Sequence, residues 1–149
     1  MARNCEHDCL ELSFVATEAR ASNGIAQVGA RLEALGLSPG QTGDIKIAMA
    51  EAINNVVEHA YAGLPAQDVQ VRCRFLDHQL VVQIVDSGHP MPGMKPPDGV
   101  PPHIGAELQG LPEGGFGWFI IKQLASRVEY QRRDGTNRLV LSFDLGERP

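Results

Sequence analysis

Glu51, Asn55 and His59 place a carboxylate, a carboxamide and an imidazole at every fourth residue of the segment 51–61. On a helix, residues four apart stack along one side. A carboxylate there can take a proton from a hydroxyl within hydrogen-bond reach. One turn on, the neutral amide oxygen of Asn55 is a hard ligand of the kind Mg²⁺ accepts while keeping most of its waters. Asn54 is the neighbouring competitor but lies about 100° round the helix from Asn55, so the four-residue relation to Glu51 selects Asn55. His59 can touch a phosphate or a lid, or simply favour the negative end of the helix dipole. On one helix alone such a face is most often just solvated.

Two further segments add chemistry. Asp86-Ser87-Gly88 follows the apolar run Leu80 to Val85. A carboxylate held at the end of a buried strand can accept a hydrogen bond from an exocyclic amine, and Gly88 lets backbone come close to a base. The ordinary alternative is a strand-to-turn aspartate. About thirty residues later, Gly114, Gly115, Phe116 and Gly117 open a new helix. Glycines at a helix start let N–H groups turn toward an anion, with the dipole adding attraction. A flexible hinge is the bland reading, and the two can coexist.

The elements that must position these groups follow from periodicity. Leu10, Leu12 and Phe14 alternate with Glu11 and Ser13 and predict a first strand. A helix is expected from about Ala19 to Leu35, stopped by Gly36. Ser38-Pro39-Gly40-Gln41 reads as a capping box with proline at the first helical position. It starts the helix bearing Glu51, whose apolar stripe is Ile45, Ala48, Met49, Ala52, Ile53, Val56 and Ala60. Strands are expected at Val69 to Phe75 and Leu80 to Val85, joined at Asp77-His78. A closing hairpin runs from Val128 to Arg132 and from Arg138 to Phe143, turning through Asp134-Gly135-Thr136-Asn137. Residues 87–113 hold seven prolines and no periodicity, which suits a functional or mobile loop. Helices and strands are partly segregated, so the fold class is α+β, a two-layer sandwich rather than a doubly wound sheet.

At 149 residues the chain makes one domain. Its hydrophobic fraction of 43% and charged fraction of 21% are those of a globular protein. A formal charge of −5 argues against a nucleic-acid surface. It does not argue against binding a nucleotide, which needs only a cation and a helix N-terminus. No apolar run approaches membrane-spanning length and the start lacks a signal-peptide core, so a cytoplasmic location is expected, with no membrane partner. Three cysteines suggest reduced thiols. Cys5, His7 and Cys9 supply at most three ligands where structural zinc normally takes four. Residues 1–9 are expected to be a flexible tail and residues 10–149 the domain.

In order and spacing, the three chemical segments resemble the N, G1 and G2 boxes of the Bergerat-fold ATPases, a superfamily that includes gyrase B, the histidine kinases and MutL. The pattern Glu51-Ala52-x-x-Asn55-x-x-x-His59-Ala60-Tyr61 is most similar to the short RsbW/SpoIIAB-type serine protein kinases and anti-sigma factors. The resemblance runs from about Leu10 to Leu145, and three boxes in order are far more specific than any one. It implies a mostly antiparallel mixed sheet with helices on one face, ATP and Mg²⁺ as cofactors, and an ATP lid at about 87–113. By the same resemblance Glu51 is the general base and Asn55 the Mg²⁺ ligand. Asp86 reads the adenine amine, with Gly88 beside the base. Gly114, Gly115, Phe116 and Gly117 lie at the phosphates, and His59 is a secondary contact. The implied activity is ATP-dependent serine/threonine phosphorylation of a STAS-domain anti-sigma factor antagonist, and the implied partner a sigma factor.

Two positions depart from the family pattern. Pro90 stands where many relatives have a second glycine, and Glu113 where several have an arginine that reaches the phosphates. Lys122, Lys95 and Arg138 are candidate replacement cations. These departures leave open an alternative, a catalytically weak ATP-binding regulatory module whose nucleotide state controls partner binding. The catalytic piece of a histidine kinase ranks lower, because no dimerisation helix pair bearing a histidine accompanies the domain. The exposed face of the strand carrying Arg72 and Arg74, with the first helix, offers surface for a homodimer.

Overall fold

Alternation in the sequence becomes a single sheet. A computed structural model describes residues 6–98 and 115–146. Its strands are β1 (Glu6–Val15), β2 (Asp68–Leu76), β3 (Gln79–Asp86), β4 (Arg127–Arg133) and β5 (Thr136–Asp144). They lie in the order β1-β2-β3-β5-β4, and every pairing is antiparallel, the limiting case of the mostly antiparallel sheet expected. Val69, Val71, Cys73 and Phe75 of β2 share one buried face with Leu80, Val82 and Ile84 of β3 and Leu139, Leu141 and Phe143 of β5.

The helices α1 (Glu18–Ala34), α2 (Pro39–Asn55) and α3 (Gly115–Leu124) cover that face. Val28 and Leu32 come from α1, Ile45, Met49 and Ile53 from α2, and Trp118 and Ile121 from α3. Each such side chain, fully buried, contributes roughly 1.5–3 kcal/mol. The architecture is thus the two-layer α+β sandwich.

The start of α2 is fixed with unusual redundancy. Gln41 N donates to Ser38 Oγ at 3.1 Å and Ser38 N donates to Gln41 Oε1 at 3.0 Å, with Pro39 in the first turn. Gln41 Nε2 also donates to Leu145 O at 3.1 Å, so the end of the sheet pins the helix that carries the chemistry.

Three boundaries differ from expectation. Strand β1 begins at Glu6, so residues 6–9, expected in a tail, belong to the strand: Glu6, His7 and Asp8 lie opposite Leu76, Phe75 and Arg74 of β2. A register shift between Asp8 and Leu10 breaks the alternation that would have announced them. The second hairpin turns on Asp134 and Gly135 alone, both at positive φ (53° and 76°), the geometry of a two-residue hairpin loop. Thr136 and Asn137 therefore belong to β5. Finally α2 stops at Asn55, and a π-helical turn, Val56–Ala60, continues it.

Candidate active site

Packing aims the chemical face of α2. Its core stripe turns Ala48, Ile45, Ala52 and Ile53 toward the sheet, which leaves Glu51 and Asn55 half-buried at the margin of the layer. Asn55 Nδ2 donates to Glu51 O at 2.8 Å. That bond occupies the amide's donor side and leaves Oδ1 as the group available to a cation. Among the described residues no three His, Cys, Asp or Glu side chains gather as a metal cluster. A cation at Asn55 would take its remaining ligands from phosphate and water, as Mg²⁺ characteristically does.

The start of α3 closes on the same face. A Cβ added to Gly117 would lie 2.6 Å from Glu51 Oε1. Only glycine lets the helix backbone come this close to the carboxylate. Gly115 and Phe116 form the beginning of α3. Gly114 and Glu113, with residues 99–112 of the expected lid, lie outside the described residues.

The π turn joins this cluster to the end of β3. His89 N donates to Ala60 O at 2.6 Å, and a Cβ on Gly88 would meet that same carbonyl oxygen at 2.3 Å. Gly88 therefore lets the backbone after Asp86 pack directly on the π turn. Tyr61, 4% exposed, completes the junction. Its hydroxyl accepts from Ser87 N at 2.9 Å and donates to Asp68 O at 3.2 Å. Burial holds the Tyr61 phenol above its ordinary pKa of 10.0, helped by the nearby Asp86 and Asp68 charges and opposed by the Ser87 N–H bond.

Asp86 is 6% exposed and its Oδ1 accepts from Gly88 N at 2.8 Å and from Asn137 Nδ2, also at 2.8 Å. Asn137 sits directly opposite Asp86 across the β3–β5 ladder. Its own Oδ1 accepts from Tyr130 Oη at 2.5 Å and from Arg132 at 3.0 Å. Arg132 also donates to Gly88 O at 2.6 Å. None of these three side chains was singled out from sequence. Asn137 was read as a turn residue, and only the strand register makes it a neighbour of Asp86.

His59 stands apart from the cluster. Its side chain is 52% exposed and its Nε2 lies 3.9 Å from Glu58 Oε1, a solvent-screened pair of little energetic consequence. Of the candidate cations, Arg138 alternates with the buried residues of β5 and so lies on the sheet face away from the helices. Lys122 and Lys95 are exposed. Arg132 shares the half-buried face of β4 with Tyr130 and is already engaged with Gly88 and Asn137.

The family model for the histidine kinase-like ATPase domain matches residues 14–143. The serine-protein kinase RsbW of Bacillus pumilus is 32% identical over 108 residues, covering 70% of this chain and 67% of that protein. The RsbW of Listeria monocytogenes serotype 4a is 25% identical over 138 residues, covering 92% of this chain and 88% of its own. The serine/threonine-protein kinase BtrW of Bordetella bronchiseptica is 31% identical over 93 residues, 62% of this chain and 63% of that one. Two of these three alignments span about two thirds of the relatives' length. Among solved structures, a Mycobacterium tuberculosis chain comprising RsbU and RsbW domains superposes with a TM-score of 0.64 at 20% identity, covering 91% of this chain and 31% of that one. A blue-light activated histidine kinase of Erythrobacter litoralis gives 0.52 at 18% identity, covering 73% and 32%. With its sheet order, its helix layer and these matches, the chain belongs to the histidine kinase-like ATPase domain family.

Proposed function

We propose that this protein is an ATP-dependent serine/threonine protein kinase of a partner-switching system. The observation that carries the reading is the meeting of three segments far apart in sequence. Glu51 lies against Gly117, and the Asp86–Gly88 turn is locked to the π turn that follows Asn55. The relatives named as RsbW and BtrW serine or serine/threonine kinases support it.

In this reading the adenine amine donates to Asp86, Asn55 Oδ1 would hold a Mg²⁺ that offsets phosphate charge, and the first turn of α3 offers N–H groups to the phosphates. Glu51 takes the proton of a serine or threonine hydroxyl. The freed oxygen bonds to the γ-phosphorus as the bond from that phosphorus to the bridging oxygen breaks, and ADP leaves. The acceptor is a STAS-domain antagonist. Adding close to two negative charges to it breaks its complex with the kinase, which is then free to hold a sigma factor. Such a role belongs in the cytoplasm, where ATP is. No described helix is long and apolar enough to cross a membrane.

The test is transfer from γ-labelled ATP with Mg²⁺ to STAS domains of the same genome, with Glu51→Ala run in parallel after its ATP binding is verified. Label on an antagonist serine or threonine, lost in the variant, is the expected result. Bound ATP with no transfer by the wild-type protein would replace the kinase with a nucleotide-controlled regulatory module, and Glu113 and Pro90 would then mark where catalysis was lost.

A further inference from the structure

Asp86 has two oxygens and the structure treats them differently. Oδ1 is saturated by Gly88 N and Asn137 Nδ2, both at 2.8 Å. Oδ2 has no hydrogen-bond partner among the described residues. The carboxylate cannot rotate to exchange them without breaking both bonds in a buried place, where an unmade bond is costly. One oxygen is thereby committed to the protein and the other is kept for a donor arriving from outside.

What commits Oδ1 is the orientation of the Asn137 amide. Its Nδ2 faces three acceptors, Asp86 Oδ1 and His89 O at 2.8 Å each and, more distantly, Gly88 O at 3.4 Å. Its Oδ1 faces two donors, Tyr130 Oη and the Arg132 guanidinium. The opposite orientation would set an oxygen against three acceptors and an NH₂ group against a cation, so only one is chemically consistent. Asn137 is 4% exposed, which strengthens each of these bonds and each penalty for losing one.

The same three side chains hold the backbone that follows Asp86. Arg132 donates to Gly88 O, Asn137 to His89 O, and Met91 N donates to Tyr130 Oη at 3.0 Å. The hairpin of β4 and β5 therefore grips the root of the Pro/Gly-rich segment and the recognition carboxylate through one connected network.

We propose that Asn137 is a positioning residue for base discrimination, reserving Asp86 Oδ2 for the exocyclic amine of adenine, and that Tyr130 and Arg132 fix it in the orientation this requires. The inference rests on the reading of Asp86 as the adenine contact but not on phosphotransfer. A base with a carbonyl in place of that amine would set a lone pair against a carboxylate that has no freedom to turn away.

The experiment is equilibrium binding of Mg-ATP and of Mg-inosine triphosphate, which carries a carbonyl where ATP carries the amine, to the full chain by calorimetry. The wild-type protein is expected to prefer ATP by about tenfold or more, the scale of a hydrogen bond to a charged group. Asn137→Asp keeps size and the acceptor oxygens facing Tyr130 and Arg132, but replaces the donor to Asp86 with a second carboxyl oxygen. It is expected to erase most of that preference. A purely structural role would weaken both nucleotides by the same factor, and an unchanged ratio with weakened affinities overturns the proposal. Tyr130→Phe removes one hydroxyl only and serves if Asn137→Asp fails to fold. A preference reduced about twofold to fivefold is expected there, and a wild-type ratio rejects the proposal. Equal affinity of the wild-type protein for both nucleotides removes the premise that Asp86 reads an amine. Binding of neither removes the nucleotide site itself, an outcome separate from any failure of phosphotransfer.

Discussion

The two ends of the candidate site are built on opposite plans. At the Asp86 end nearly every polar atom is spoken for. Asp86, Asn137, Tyr130, Arg132 and Tyr61 hold one another and the backbone of Asp68 and of residues 87–91 through bonds of 2.5–3.4 Å. At the Glu51 end the polar groups are half-buried and lightly held. Among the described residues Asn55 makes one side-chain bond, to the backbone of its own helix, and the Glu51 carboxylate lies against a glycine. Recognising a base calls for donors and acceptors that do not move, since an error of one hydrogen bond is an error of identity. Accepting a proton and a cation calls for groups that can still adjust as charge develops and substrate arrives. The π turn lies between them, continuous with the helix of Asn55 and bonded through Ala60 O to His89 N, and such turns are frequent at functional sites.

If that division is right, the largest effect should come from the adjustable end and should be chemical rather than structural. Glu51→Gln preserves shape and removes the base. Phosphotransfer is expected to fall about a hundredfold or more, with ATP affinity by calorimetry within about threefold of wild type and an unchanged thermal midpoint. A comparable loss of ATP binding would mean that Glu51 holds the nucleotide, and the division would break.

The two glycines sharpen the contrast, because one substitution should have opposite consequences at the two places. At Gly117 an added methyl meets the far end of the Glu51 side chain, which can swing aside. Gly117→Ala is expected to keep or slightly raise the thermal midpoint, since alanine favours a helix by about 1 kcal/mol. Phosphotransfer should nonetheless fall about tenfold to a hundredfold from the displaced carboxylate. At Gly88 the methyl would meet the Ala60 carbonyl, backbone that cannot step aside without moving the π turn. Gly88→Ala is expected to cost about 1–3 kcal/mol or more, read as a lower midpoint by differential scanning calorimetry. If both alanines lowered stability alike, the chemical end would be as rigid as the other.

The smallest expected effect is electrostatic. The Tyr61 phenol is held above its ordinary value of 10.0, chiefly by burial. A raised native pKa means that the unfolded chain loses this proton first. The stabilisation is complete below pH about 10 and is lost as pH rises toward the native value. Stability measured by urea unfolding should therefore decline as pH rises above about 10, by at most roughly 1.4 kcal/mol per pH unit from this group. Tyr61→Phe should lack that component, and an identical slope in the variant would show that the junction is not sealed against ionisation.

Much of the adjustable end could be read from sequence because its logic is local. The four-residue step from Glu51 to Asn55, the box at Ser38 and Gln41 and the apolar stripe of α2 all lie within one helix, where spacing alone dictates neighbours. The strand pattern was equally legible, and with it the layer architecture. The rigid end was not, since it is assembled across the sheet. Asn137 is 51 residues from Asp86 and meets it only through the β3–β5 register. Asp134, Gly135, Thr136 and Asn137 are all good turn formers, and nothing in their types says that the backbone reverses on the first two. Tyr130 and Arg132 look like the ordinary alternation of an edge strand. The π turn has no signature either, as Val56 and Val57 continue a helical pattern while the backbone leaves it. That departure also explains why His59, in line with Glu51 and Asn55 on paper, ends on the surface beside Glu58.

The central claim is that these two unlike regions serve one nucleotide. It is tested most directly by titrating the isotopically labelled full chain with a non-hydrolysable Mg-ATP analogue and following backbone amide resonances. The account predicts that Ser87 and Gly88 at one end, and Asn55 and Gly117 at the other, shift together and saturate with a single dissociation constant. Shifts confined to one end, or two separate saturation curves, would contradict it.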